Sequence, residues 1–274
     1  MYGMFRYCYN LEVVNFGNID TSSVEDMSYL FSECSKIVSI DLSNFDFSKV
    51  RWMDSMFDSC SNLENIRFGN SVTSSVETLY RIFFGCQNLT SIDLSNFDTS
   101  KVQDMSDMFQ GCSSLEYLNL SHFTTPNILN INSMFSGCTS LKYLNLYSFQ
   151  IESHVYHENI FEGLSPNVTY CINDNSTKNL LLPQLGKILF CPDECMIRNN
   201  SKIDISNQKC VDSCMNTTSN IYEYNNICYN ICPRNTLNID YLCIDIDCDK
   251  FEQYSIKCLN NEPLGYYFDP INEI

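Results

Sequence analysis

Six cysteines recur at one interval of 26 residues, Cys8, Cys34, Cys60, Cys86, Cys112 and Cys138, and a seventh step lands on Leu164. Other columns keep the same phase without a gap. Phe5, Phe31, Phe57, Phe83, Phe109, Phe135 and Phe161 form one; Val14, Ile40, Ile66, Ile92, Leu118 and Leu144 form another. The columns from Leu11 to Leu141 and from Phe16 to Leu146 are apolar at the same step. A fixed period of this length predicts a solenoid, in which each unit buries its apolar face only against its neighbours.

Within one copy, Leu115, Leu118 and Leu120 read as a short strand with apolar side chains turned to the core. Ser-Asn-Phe-Asp-Thr-Ser follows at 95–100, and such residues bond nearby backbone groups to make turns. The column Asp20, Asp46 and Asp98 is expected to cap those turns. It lacks the converging carboxylates and glycine spacing of a calcium loop. Val102 and Met105 then return to the core as an extended piece. Ser28, Asp54, Ser106 and Asn132 stand where helix N-caps stand, and Gly85, Gly111, Gly137 and Gly163 where C-terminal cap glycines stand. The expected copy is strand, turn, extended piece and about two turns of helix, with successive strands paired in parallel. The fold class is thus α/β: a leucine-rich-repeat-like solenoid over 1–170, then a small disulfide-rich, mostly irregular or β tail over 171–274.

The run from Ile92 to Val102 (IDLSNFDTSKV), followed by Asp104-Met105-Ser106-Asp107-Met108-Phe109 and by Gly111-Cys112, resembles the BspA-type leucine-rich-repeat surface proteins. The resemblance covers residues 4 to about 164. Two copies depart from it: Ser71 replaces the turn Phe, and Pro126 interrupts the Thr-Ser-Lys element. It implies a curved solenoid on secreted or surface-attached proteins that adhere to or recognise partners.

A formal net charge of −17 argues against nucleic acid, which needs a basic surface, and against anionic membranes. No apolar run of 18 residues exists, so no spanning helix is expected. The chain opens already in phase, without a leader, and is expected to be a fragment of a longer surface protein.

The two sets of cysteines call for different chemistry. Six stacked side chains pointing one way suit a column of buried free thiols better than disulfides. The tail carries Cys171, Cys191, Cys195, Cys210, Cys214, Cys228, Cys232, Cys243, Cys248 and Cys258 between polar segments too poor in apolar residues for a core. Disulfides are expected there, with a ladder of neighbouring pairs from Cys171–Cys191 to Cys248–Cys258 as one connectivity among many. Zinc is the alternative. It is disfavoured because none of His122, His154 and His157 lies in the tail. Disulfides would imply an oxidising, extracellular compartment. Sequons are as frequent as chance allows in a chain this rich in Asn, Ser and Thr; Asn199 and Asn216 are the better glycosylation candidates.

No catalytic motif, metal cluster or cofactor loop is recognisable, so no enzyme activity and no cofactor are expected. The outward strand positions are the candidate ligand face: Asn15, Asp41, Arg67, Asp93, Asn119 and Asn145, with Tyr117 and Tyr143 as aromatic anchors. Trp52 is a further exposed contact candidate. The expected function is non-enzymatic recognition or adhesion toward protein or glycan partners. A self-associating scaffold and a piece of a larger secreted enzyme are the alternatives.

Overall fold

The computed structural model describes residues 1–69 and 72–181, and beyond them the backbone of six short strands. In the repeat region the strands are β1 (Ser39–Asp41), β2 (Asn65–Arg67), β3 (Tyr117–Asn119), β4 (Tyr143–Asn145) and β5 (Thr169–Cys171). They pair in parallel at one offset: Ile40 opposite Ile66, Leu118 opposite Leu144, and Leu144 opposite Tyr170. The sheets are short, a pair β1-β2 and a triplet β3-β4-β5, and neither closes on itself. Residues 13–15 and 91–93, in the same columns, form no strand.

A second line of contact runs through single parallel bridges, Asp26 to Trp52, Trp52 to Thr78, Thr78 to Asp104, Asp104 to Asn130, and Asn130 to Tyr156. This is the extended piece expected before Met105. Between these two lines lies the core. Phe31, Phe57, Phe83 and Phe109 are wholly buried, and adjacent rings from Phe5 to Phe161 stack with centroids 5.4 to 6.1 Å apart. Each buried ring contributes about 1.5–3 kcal/mol through the area it removes from water.

The expected helix in each copy does not form. Residues such as 28–34 instead make a run of tight turns in which alternate amides serve different partners. Tyr29, Phe31 and Glu33 donate to the carbonyls of Asp54, Met56 and Asp58 in the next copy, at 2.8, 2.8 and 2.7 Å. Leu30, Ser32 and Cys34 donate back to Met27, Tyr29 and Phe31. A helix would keep every one of these amides within its own segment. Two left-handed residues per copy prevent it, for example Tyr29 at φ 57° and Glu33 at φ 65°. The glycines that resembled helix caps occupy the second of these positions, as Gly111 does at φ 77°. Ser28 and Ser106 are not N-caps: their amides are held by Asp26 and Asp104 at 2.8 Å.

The cysteine column consists of free thiols, buried from Cys34 to Cys138 and exposed at Cys8. Cys34, Cys60, Cys86, Cys112 and Cys138 each donate to the carbonyl of the Phe 29 residues earlier, at 3.1 to 3.2 Å. A threonine column forms a second clamp. Thr21, Thr73, Thr99 and Thr125 are buried, and each hydroxyl both donates to and accepts from one residue of the next copy.

The repeat phase runs past Leu164, where the sequence pattern fades. Tyr170 and Ile172 stand in the core columns of Leu144 and Leu146 and are buried. A short helix α1 (Asn175–Leu181) places Thr177 one period after Ile151, whose amide it accepts at 2.7 Å. Farther on, β6 (Lys202–Asp204) with β7 (Lys209–Val211), β8 (Tyr222–Tyr224) with β9 (Ile227–Tyr229), and β10 (Thr236–Ile239) with β11 (Leu242–Asp245) form three antiparallel pairs. They join edge to edge in the order β10-β11-β8-β9-β6-β7, through parallel contacts of β6 with β9 and β8 with β11.

Candidate functional site

The expected ligand face has a structural duty that its residue types conceal. The side-chain oxygens of Asn15, Asp41, Asp93, Asn119 and Asn145 each accept the amide two residues on, at 2.9 to 3.1 Å. These are Asx turns that end the strand. Arg67 is the exception. It pairs with Asp41 at 3.6 Å, and the residue two places on, Gly69, is left-handed at φ 61°. The column Asp20, Asp46 and Asp98 caps a second set of turns through Ser22, Ser48 and Ser100, as expected.

Two of the strand-face candidates are not exposed. Tyr143 and Asn145 are each 1% accessible. Their strand β4 lies between β3 and β5, with Tyr117 and Thr169 flanking Tyr143 in register, and Asn119 and Cys171 flanking Asn145. In-register neighbours on one face shield each other, and large aromatic ones most. Burial pushes the Tyr143 phenol well up, and the Asn145 side chain offsets it only in part. Asn15, Asp41 and Asp93 remain exposed, whereas Arg67, Tyr117 and Asn119 are half-buried.

A different group of side chains gathers where the single bridges meet the turn runs. Trp52 is half-buried, with the Arg51 guanidinium 4.6 Å from its ring centroid and Arg51 bonded to Glu77 at 2.8 Å. One copy on, Arg81 lies 3.6 Å over Phe84 and pairs with Asp58 at 3.0 Å. Tyr80 stands beside it. In the copy before, Arg6 lies 4.2 Å over Tyr29. Asp54 accepts the Thr78 hydroxyl at 2.5 Å. Burial raises the Asp54 carboxyl, and the charges of Asp104 and Asp26 add to that. Burial likewise raises Asp107, which Arg81 partly offsets. Of this group, sequence reasoning singled out only Trp52 as a contact candidate and read Asp54 as a helix cap. The turn runs were read as helix, and helical spacing scatters these residues.

A family model described as "Mycoplasma protein of unknown function, DUF285" matches residues 1–83 and again 63–170. The chain belongs to the DUF285 family. The two DUF285 matches overlap at 63–83 and together take in every copy of the repeat up to β5. No curated protein and no solved structure matches the chain.

Among the described residues of this DUF285 protein, no group of three or more His, Cys, Asp or Glu is placed to hold a metal ion. No helix there is long and apolar enough to cross a membrane. The histidines serve local bonds: His122 meets the Leu94 carbonyl at 2.6 Å, and His157 meets that of Val155 at 2.7 Å. Cys171 is in disulfide linkage, and its partner lies outside the described residues. So do the pairings expected of Cys191, Cys195, Cys210, Cys214, Cys228, Cys232, Cys243, Cys248 and Cys258, and the glycosylation expected at Asn199 and Asn216.

Proposed function

We propose that the chain is a leucine-rich-repeat-like solenoid of the BspA type, a non-enzymatic recognition or adhesion protein that is secreted or held at a cell surface. One observation carries this reading: inward columns are nearly constant from copy to copy, whereas outward columns diverge. The position of Tyr29 is buried as Ser55 and half-buried as Arg81, Asp107 and Ser133, and the largely half-buried position of Trp52 is Asp26, Thr78, Asp104, Asn130 and Tyr156 in the other copies. A rigid frame with a varied surface suits partner recognition, the common use of stacked repeats. The disulfide at Cys171 supports an oxidising compartment, and the three strand pairs of the tail suit a stalk.

The test is a panel of immobilised proteins and glycans probed with the full chain. Saturable binding to members of one class, without turnover of them, is expected. Silence across both panels would remove the reading.

A further inference from the structure

On the recognition reading above, we infer that the binding face is the turn face around Trp52 and Arg81, not the strand face, and that its partner is a protein segment bearing lysine or arginine side chains.

Three independent observations lead there. The first is segregation of residue types. Of the arginines in residues 1–181, Arg6, Arg51 and Arg81 lie on the turn face and only Arg67 on the strand face. All the lysines of that region, Lys36, Lys49, Lys101, Lys142 and Lys178, lie in other columns. Trp52, Tyr29 and Tyr80 are on the turn face with the arginines. Enrichment in Trp, Tyr and Arg with depletion of Lys distinguishes protein-binding surfaces from the rest of a protein's exterior.

The second is order. Arg51 over Trp52 and Arg81 over Phe84 are already stacked and tied to Glu77 and Asp58. Side chains held this way lose little freedom when a partner arrives. The strand face, by contrast, has its polar atoms engaged in Asx turns.

The third is charge. Arg81 pairs with Asp58 and acts on Asp107, and the charge of Asp104 bears on both Asp107 and Asp54, so carboxylates outnumber the one guanidinium. Burial and mutual repulsion make the carboxyls of Asp54 and Asp107 harder to ionise, a strain that an arriving cation relieves. Carboxylates in excess over the guanidiniums that hold them select a cationic guest. A neutral glycan would gain nothing from the charge.

Trp52 is the only tryptophan of the chain, so its emission reports on this face alone. The full chain is titrated with a fluorescein-labelled Lys-Gly-Tyr repeat peptide, with the same peptide carrying Glu for Lys, and with a neutral soluble glucan. The lysine peptide is expected to shift Trp52 emission saturably, and the other two are expected to leave it unchanged. By anisotropy of the labelled peptide, Trp52→Ala and Asp107→Asn are each expected to weaken binding about tenfold. Asp93→Asn, which keeps its Asx turn, is expected to leave it unaltered. Equal losses from Asp93→Asn and Asp107→Asn would reduce the effect to net charge and overturn the inference, as would a response to the glucan in place of the peptide. A panel partner whose binding is insensitive to Trp52→Ala would overturn this face while leaving the recognition reading standing.

Discussion

The Cys86 thiol donates to the Phe57 carbonyl oxygen at 3.2 Å, although 29 residues separate them. That carbonyl already accepts the Cys60 amide at 3.1 Å, so the thiol uses its second lone pair. One small side chain thereby fills a gap between copies and satisfies a buried acceptor. Cys86→Ala is expected to cost about 1–2 kcal/mol, from the lost sulfur volume and the lost bond. Denaturant unfolding of the variant measures it, and a change under about 0.5 kcal/mol would mean the column is filler only.

The same column predicts a response to alkali. Burial pushes Cys34 up to about 11 and Cys138 up to about 12, against an ordinary thiol value of 9.0. A raised folded value favours the neutral thiol, so this contribution to stability is complete below pH 9.0 and is lost as pH rises toward those values. Under native conditions at pH 8, a thiol reagent is expected to label Cys8 but not the other five repeat cysteines. Denaturant should release all five. Rapid labelling of Cys86 in the native state would contradict its burial.

Thr99 offers a cleaner test of what joins the copies. Its hydroxyl donates to the Thr124 carbonyl at 2.8 Å and accepts the Thr124 amide at 2.9 Å. Thr99→Val keeps the shape and removes both bonds. A loss of about 1–3 kcal/mol is expected, read as a lowered unfolding midpoint. Thr99→Ser should recover most of it, and failure to do so would assign the effect to packing.

Gly17 and Gly69 occupy one column with left-handed backbones, at φ 52° and 61°. A Cβ on Gly17 would meet nothing within 4 Å, but one on Gly69 would come within 2.9 Å of the Ser43 Cα. Gly17→Ala is expected to cost only the left-handed penalty, about 1–2 kcal/mol. Gly69→Ala must also displace the neighbouring backbone and should cost clearly more. Thermal unfolding of the two variants side by side settles the order.

Acid acts on two aspartates in opposite senses. The Ser100 hydroxyl and amide hold Asp98 below its ordinary 3.8, so its contribution is present above 3.8 and is lost as pH falls through the lower folded value. Burial raises Asp54, so its contribution is complete below 3.8 and is lost as pH climbs through the raised folded value. Asp98→Asn should flatten the acid limb of a stability–pH curve. Asp54→Asn should stabilise the protein at neutral pH and lose that advantage on acidification. The same direction of change in both variants would refute the assignment.

Much of this architecture is legible in the chain. The Cys, Phe and Leu columns have fixed chemistry, and a core position leaves its mark in every copy. The Asp98 column was legible too, because Asp followed by Thr-Ser has a local bonding habit. The turn runs were not. An N-cap residue followed by apolar pairs and a late glycine fits a helix and a left-handed turn run equally well. The choice rests on where alternate amides go, which depends on a neighbour 26 residues away. Tyr143 and Asn145 were misplaced for a related reason. A column of polar residues advertises water, but what flanks the strand at that level decides. At the turn face, Arg81 and Asp58 meet across copies, a juxtaposition with no repeat spacing to betray it.

The Thr clamp makes four junctions chemically interchangeable, those where neither Phe47 nor Ile151 takes its place. A copy meets its successor through the same hydroxyl, amide and carbonyl at Thr21, Thr73, Thr99 and Thr125 alike. Recombination within the gene could therefore add or remove 26 residues without inventing a contact. The length of the repeat region is thus a digital quantity, adjusted by whole units.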